Sequence, residues 1–216
     1  MSAMTLYIAN KTYSSWSFRP WIAMTVKELP FEEVLVPFDD DGGNPKFREF
    51  SPTGKVPVLD HSGATVWESL AILEHLADYF PEMRFWPEDL ESRSLARCVS
   101  AEMAAGFATL RANCPMNMRR EPSAVTMSDA LKADVARVET IWKTLLERSG
   151  GPFLFGPLFG VADAMYAPVV NRFEVYRLSE DETARGYMET IKALPAWKAW
   201  EEAAREEPWT VAADEA

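Results

Sequence analysis

The sequence has two cysteines and two histidines among 216 residues, and neither residue type makes a site of its own. His61, His75, Cys98 and Cys114 show no spacing that would close on a metal ion. If one helix carried both cysteines, they would stand about 24 Å apart at ~1.5 Å per residue, too far for a disulfide. Both therefore read as reduced thiols, which together with the absence of a leader predicts a cytoplasmic protein. Basic residues are also short: 22 Lys and Arg face 33 Asp and Glu, for a formal charge of −11. That excludes the basic footprint of nucleic-acid binding. No uncharged apolar run approaches the roughly 18 residues needed to cross a bilayer, so no membrane partner is expected. The opening "MSAMTLYIAN" lacks the basic region of a signal peptide.

What is present alternates through the first 80 residues. "MTLYIA" (4–9) reads as a strand, about 16–27 as a helix and "FEEVLVPF" (31–38) as a second strand. The acidic "DDDGGN" (39–44) reads as a solvated loop, and "PKFREF" as one or two helical turns. "VPVLD" (56–60) and "TVWES" (65–69) read as strands joined by the hairpin signal "HSG". Leu70, Leu73, Leu76, Ala77 and Phe80 then repeat at spacings of three and four, with Ser69 expected as the N-cap. "PEMRFWPEDLES" (81–92), with two prolines and mixed charge, reads as a linker. Beyond it only helical stripes occur. Leu95, Val99, Met103, Phe107 and Leu110 form one; Val135, Val138, Ile141, Trp142 and Leu145 a second; Val161 to Phe173 a wide third. A last helix is expected over 196–205.

The β-α-β then β-β-α order, with Pro57 opening the third strand, resembles the thioredoxin fold. "GKVPVLD" followed by "ESLAILEHLADYF" is similar to the N-terminal domain of cytosolic glutathione transferases, and "VADAMYAPVV" resembles the buried helix of their second domain. The resemblance implies an α/β plus all-α protein. Residues 1–82 form a thioredoxin-like domain (βαβ-α-ββα), 83–91 a linker and 92–216 an all-helical domain with the acceptor pocket. It also implies a homodimer, with helices near 92–111 at the contact, and glutathione as co-substrate with no metal. A cis Val56–Pro57 bond would turn the Val56 amide and carbonyl outward, to hold the cysteinyl part of glutathione like an added strand. Glu68 and Ser69 at a helix N-terminus suit the ammonium and carboxylate of its γ-glutamyl end. Lys55 suits the glycyl carboxylate.

Redox proteins of the thioredoxin fold carry Cys-x-x-Cys in the first turn; here that turn reads "SSWS", so disulfide exchange is excluded. A hydroxyl there can donate to the sulfur of bound glutathione. Lowering a thiol pKa of about 8.5 by roughly two units takes about 2.7 kcal/mol. A hydrogen bond to a charged sulfur supplies about 1.5–3 kcal/mol, and a helix N-terminus about 0.3–1. "SSWSFR" resembles the Ser-Ser-Cys-x-x-Arg run of zeta-class glutathione transferases, the maleylacetoacetate isomerases. That resemblance makes Ser14 the thiolate donor and Ser15 its neighbour at glutathione. Trp16 stands where that class has cysteine and Trp21 where it has a second arginine; these departures bear on isomerase activity and leave thiol activation intact. Tyr7 and Tyr13 are weaker donor candidates. The acceptor pocket is assigned to Met103, Phe107, Leu110 and Arg111, with Trp209 beyond. Two further readings stand beside transferase: a glutathione-dependent isomerase, and a non-catalytic interaction protein on the same fold. No G-x-S-x-G supports a serine hydrolase.

Overall fold

The computed structural model of the protein describes residues 3–39 and 42–215. Strand β1 (Met4–Ile8) leads into helix α1 (Ser15–Val26) and strand β2 (Glu32–Leu35), a parallel pair with a helical crossover. A short 3-10 turn (Pro45–Glu49) precedes β3 (Val58–His61), β4 (Ala64–Trp67) and α2 (Ser69–Tyr79). The sheet order is β2-β1-β3-β4, with β3 antiparallel to both neighbours. This is a thioredoxin-like domain. The hairpin turns on Ser62 (φ 53) and Gly63 (φ 82), the paired positive φ values of a two-residue turn. Strand β2 is shorter than the alternation over 31–38 predicts. The Val36 N–H still donates to the Ile8 carbonyl, but Pro37 has no N–H with which to continue.

The second domain is helical: α3 (Leu90–Ala105), α4 (Ala108–Asn113), α5 (Asp129–Ser149), α6 (Val161–Val175), α7 (Glu182–Lys192) and α8 (Pro195–Glu206). The single stripe expected over 95–110 is broken in two. At Gly106 a Cβ would stand 2.7 Å from the Glu102 carbonyl, and Phe107 follows at φ 54, so the chain leaves α3 and restarts as α4. Consequently Cys98 lies on α3 while Cys114 follows α4; both are free, Cys98 exposed and Cys114 buried. Helix α7 is an element that the stripes did not reveal. Its signal is the cap Asp181, whose carboxylate accepts from the Ala184 N–H, ahead of buried Ala184, Tyr187 and Ile191.

Helix α6 is buried almost throughout and packs against α1 and α3, so it joins the two domains. Gly160 precedes it and supplies no capping oxygen. Asp163 compensates by accepting from the Gly160 N–H (3.0 Å), the Leu154 N–H (3.0 Å) and the Tyr187 hydroxyl (3.0 Å). Burial nevertheless pushes the Asp163 carboxyl up to about 6. None of the helices described is long and apolar enough to cross a membrane.

Candidate active site

The site begins with a missing hydrogen bond. Pro20 sits inside α1 and has no N–H to give the carbonyl four residues back, at Trp16. The Ser69 hydroxyl donates to that carbonyl instead, at 2.7 Å. The N-termini of α1 and α2 are thereby tied side by side. Ser69 does not cap α2, as its position predicted: Glu68 is the N-cap and Ser69 the first helical residue, with its hydroxyl turned to Trp16. Glu68 holds φ 67, a left-handed backbone that a non-glycine residue adopts at a cost of about 1–3 kcal/mol and that clusters at functional sites.

Opposite these residues, the Ser51 hydroxyl donates to the Lys55 carbonyl (2.6 Å) and accepts from the Lys55 N–H (3.0 Å). This closed loop presents Val56. The Val56–Pro57 peptide is cis, as the resemblance implies. The Val56 N–H and C=O have no backbone partner among the described residues. Lys55, Val56, Pro57, Glu68 and Ser69 wall one lobe of about 260 Å³, together with Trp16, Thr53 and Arg111. Ser14 and Ser15 open on an adjoining lobe of about 500 Å³ that shares Trp16, Lys55 and Val56 and reaches Phe38, Phe47 and Asp214. All seven residues assigned to catalysis and to glutathione thus converge on one two-lobed cleft.

Within the turn, the Ser14 hydroxyl donates to the Ser17 hydroxyl oxygen at 2.7 Å, and Ser17 also accepts from the Ala9 N–H. Arg19 lies fully buried beneath. Its guanidinium donates to the carbonyls of Ser15 (2.7 Å) and Met165 (3.0 Å) and stacks on the Trp16 ring at 4.1 Å. Neither tyrosine is placed to serve as the donor: Tyr7 stacks on Phe50 and lines neither lobe, and the Tyr13 hydroxyl donates to the Glu215 carboxylate while accepting from Arg119.

The acceptor residues need correction. Met103 and Leu110 are 0% exposed and Phe107 meets Tyr166 edge-on in the core; none of the three lines the cleft. An apolar stripe at helical spacing marks burial before it marks a pocket, and the break at Gly106 turns this one inward. Of the four, only Arg111 reaches the cleft. Trp209 does not line it; its carbonyl accepts from Arg119.

Sequence reasoning missed the tail. The Glu207 carboxylate accepts from the N–H groups of Lys11 (2.6 Å) and Thr12 (2.9 Å) and from the Thr12 hydroxyl (2.8 Å). Arg119 donates to the carbonyls of Glu207 and Trp209. A separation of 196 residues leaves no local signal for such a clamp. Among the described residues no group of three or more His, Cys, Asp or Glu side chains could hold a metal ion.

A thioredoxin-like domain with a hydroxyl in its first turn, an unpaired backbone segment before a cis-proline and an acid-serine pair at a helix head, joined to a helical domain, defines the class of fold. Comparison with known proteins gives the family. Residues 13–78 match the glutathione S-transferase N-terminal domain and residues 126–203 the glutathione S-transferase C-terminal domain. The maleylacetoacetate isomerase of Rattus norvegicus is 30% identical over 190 residues, covering 86% of this chain and 87% of that protein. Glutathione S-transferase 1 of Dianthus caryophyllus is 30% identical, covering 77% of this chain and 76% of its own. In fold, the chain resembles a glutathione transferase homolog from Burkholderia, solved with bound glutathione, with a TM-score of 0.72 at 24% identity; the match covers 95% of this chain and 100% of that one. The chain belongs to the glutathione transferase family.

Proposed function

We propose that the protein is a glutathione transferase in which Ser14 stabilises the glutathione thiolate for attack on a small electrophile. The observation that carries this reading is the convergence of Lys55, Val56, Pro57, Glu68 and Ser69 on one lobe, with Ser14 and Ser15 on the next. The first lobe is complementary to the peptide. Glu68 meets the α-ammonium, the backbone N–H of Ser69 and the other free amides of α2 meet the γ-glutamyl carboxylate, Val56 pairs with the cysteinyl backbone and Lys55 meets the glycyl carboxylate. The cysteinyl sulfur is then directed toward the turn before α1.

At that turn the Ser14 proton points to Ser17 in the free protein. A thiolate is a stronger acceptor than a neutral hydroxyl. On binding, Ser14 rotates to donate to sulfur, and the Ser17 hydroxyl reverses to donate to Ser14. The N-terminus of α1 adds its own favourable field. No general base is required, because the thiol releases its proton to solvent. The thiolate then forms a carbon–sulfur bond as the acceptor's leaving group departs or its double bond takes up the electrons.

A second reading is supported by the relatives named maleylacetoacetate isomerase. The same thiolate adds to a conjugated double bond, the adduct rotates about the resulting single bond, and sulfur is expelled. The same assignment divides the chain into 1–82, a linker at 83–91 and 92–216, in a cytoplasmic homodimer. Exposed Trp67 and Tyr79 on the small domain and Leu90 at the head of α3 provide apolar surface for the dimer contact. Calorimetric titration with glutathione, followed by turnover of an aryl halide, tests the function. Binding with turnover supports an enzyme; binding without turnover of any aryl halide or activated alkene leaves the interaction-protein reading in its place.

A further inference from the structure

Between α4 and α5, three consecutive residues outside any helix or strand reach both the serine turn and the tail. Asn117, 1% exposed, is fixed to α6: its N–H donates to the Asn171 Oδ1 (3.1 Å) and its carbonyl accepts from the Asn171 Nδ2 (3.3 Å). Its own side-chain amide donates to the Asp214 carbonyl (3.3 Å) and the Glu215 carboxylate (3.2 Å), and its Oδ1 accepts from the Arg119 N–H (3.0 Å). The Met118 N–H donates to the Thr12 carbonyl (3.1 Å). Arg119 completes the set. Its guanidinium donates to the Tyr13 hydroxyl (2.7 Å) and to the carbonyls of Glu207 (2.8 Å) and Trp209 (2.7 Å), and it stands 5.6 Å from the centre of the Tyr13 ring. One side chain thus bonds the residue before Ser14 and two residues of the tail.

The turn needs such support. Residues 10–14 belong to no helix or strand, and one oxygen, the Asn10 carbonyl, receives the N–H groups of both Tyr13 (3.2 Å) and Ser14 (2.8 Å). Ser14 is the N-cap of α1, yet its hydroxyl bonds the Ser17 side chain rather than a backbone N–H. The placing of that hydroxyl therefore depends on the backbone at Thr12 and Tyr13. Thr12 is held from both sides, by Glu207 and by Met118. Tyr13 is held at the tip of its ring, where the hydroxyl accepts from Arg119 and donates to Glu215. A guanidinium presents its donors in a fixed plane, so the three oxygens on Arg119 are kept in one relation to each other. Catalysis tolerates little error here: a displacement of about 1 Å costs up to about a hundredfold in rate. We propose that Arg119 is a positioning residue for thiol activation: acting through the Tyr13 hydroxyl, it sets the turn against the tail so that the Ser14 hydroxyl stands within reach of sulfur. The proposal rests on the transferase reading for what Ser14 does and on the hydrogen bonds of Arg119 for how Ser14 is held.

Two measurements separate those supports. The first uses the protein without glutathione. Arg119→Gln keeps a polar side chain but loses the fork, so hydrogen exchange at the Tyr13 and Ser14 amides should accelerate about tenfold. The second titrates the ultraviolet absorbance of bound thiolate with pH, alongside calorimetry and turnover. Arg119→Gln should raise the bound thiol's pKa by about one unit and lower kcat at pH 7 about tenfold, with glutathione affinity within about twofold of the parent. Tyr13→Phe removes the hydroxyl through which Arg119 acts and should give the same shift; combined with Arg119→Gln it should add nothing. In a Ser14→Ala background, Arg119→Gln should leave the thiol's pKa where Ser14→Ala alone puts it. A residue that merely supported the fold would lower stability in every background without moving the thiol.

Glutathione binding with an unmoved thiol pKa in Arg119→Gln overturns the proposal and leaves the transferase reading standing. Shifts that add when Tyr13→Phe and Arg119→Gln are combined, or that persist in Ser14→Ala, overturn it as well, because the residues then act on sulfur separately. If the parent binds no glutathione while exchange at Tyr13 and Ser14 accelerates in Arg119→Gln, the transferase reading fails and the hold of Arg119 on the turn is sustained. Should Arg119→Gln not fold, Tyr13→Phe still decides: a thiol shift supports the proposal and an unmoved thiol ends it.

Discussion

The Ser69 hydroxyl occupies the hydrogen-bond position that Pro20 denies to the Trp16 carbonyl, at 2.7 Å. One residue that breaks a helical ladder and one that completes it together set the spacing of two helix N-termini. Ser69→Ala should therefore act twice. It leaves a buried carbonyl without a partner, at a cost of about 1–3 kcal/mol in chemical denaturation. It also lets the head of α2 shift, misplacing the amides that meet the γ-glutamyl carboxylate and weakening glutathione about tenfold by calorimetry, with the bound thiol's pKa unchanged. In a Pro20→Ala background an N–H returns to Trp16, so the stability cost of Ser69→Ala should shrink. Equal costs in both backgrounds would show that the carbonyl does not depend on Ser69.

Ser14→Ala should leave glutathione affinity nearly intact and move the thiol. Losing a charge-assisted hydrogen bond of about 1.5–3 kcal/mol raises the bound thiol's pKa by roughly one to two units. Turnover at pH 7 should fall about ten- to a hundredfold and recover partly as pH rises. Ser17→Ala should give a shift of the same sign and smaller size, because Ser17 reaches sulfur only through Ser14. The ultraviolet absorbance of bound thiolate, titrated with pH, reads both. Full activity in Ser14→Ala would transfer the role to Ser15.

Asp163 makes stability depend on acid. Its folded pKa, about 6, lies above the ordinary 3.8, so the folded state holds a proton that the unfolded state has released. Its contribution is complete below about pH 4 and is lost as pH rises through about 6. The loss totals about 3 kcal/mol for two units. Asp163→Asn should remove that slope and be less stable throughout, because its amide nitrogen faces donors that the carboxylate satisfies. Denaturation curves at several pH values compare the two proteins.

Arg172→Met should stabilise the fold. An apolar side chain of similar length replaces a buried charge that has no ion pair and so removes a desolvation penalty of several kcal/mol. A structural arginine would give the opposite sign, so the direction of the melting shift decides between them.

Glu207→Ala should loosen the serine turn. It removes three acceptor contacts to Lys11 and Thr12, two of them to backbone N–H groups, at a cost of about 2–4 kcal/mol. Hydrogen exchange at residues 10–14 should accelerate, and turnover should fall with it. Unchanged exchange there would mean that the turn holds itself.

Much of the first domain was legible because its signals are local. Alternation marked β1, the Ser-Gly turn marked the hairpin, and Pro57 marked the head of β3. Met103, Phe107 and Leu110 were misplaced because helical periodicity reports that a face is buried and not what covers it; the turn at Gly106 and Phe107 decided the latter. Arg172 and Glu207 gave no signal at all. An arginine inside an apolar stripe resembles any surface residue until its neighbours are known, and Glu207 finds its partners at the opposite end of the chain.

That last distance has a consequence for how the molecule is made. The serine turn is made nearly 200 residues before the carboxylate that fastens it, at residue 207, and Asp214 and Glu215 approach the same turn from further along the chain. A nascent chain thus carries its serines long before it can hold them in place, and the turn is fastened only once residue 207 has been made. Cleavage before residue 207 would return the turn to that unfastened condition.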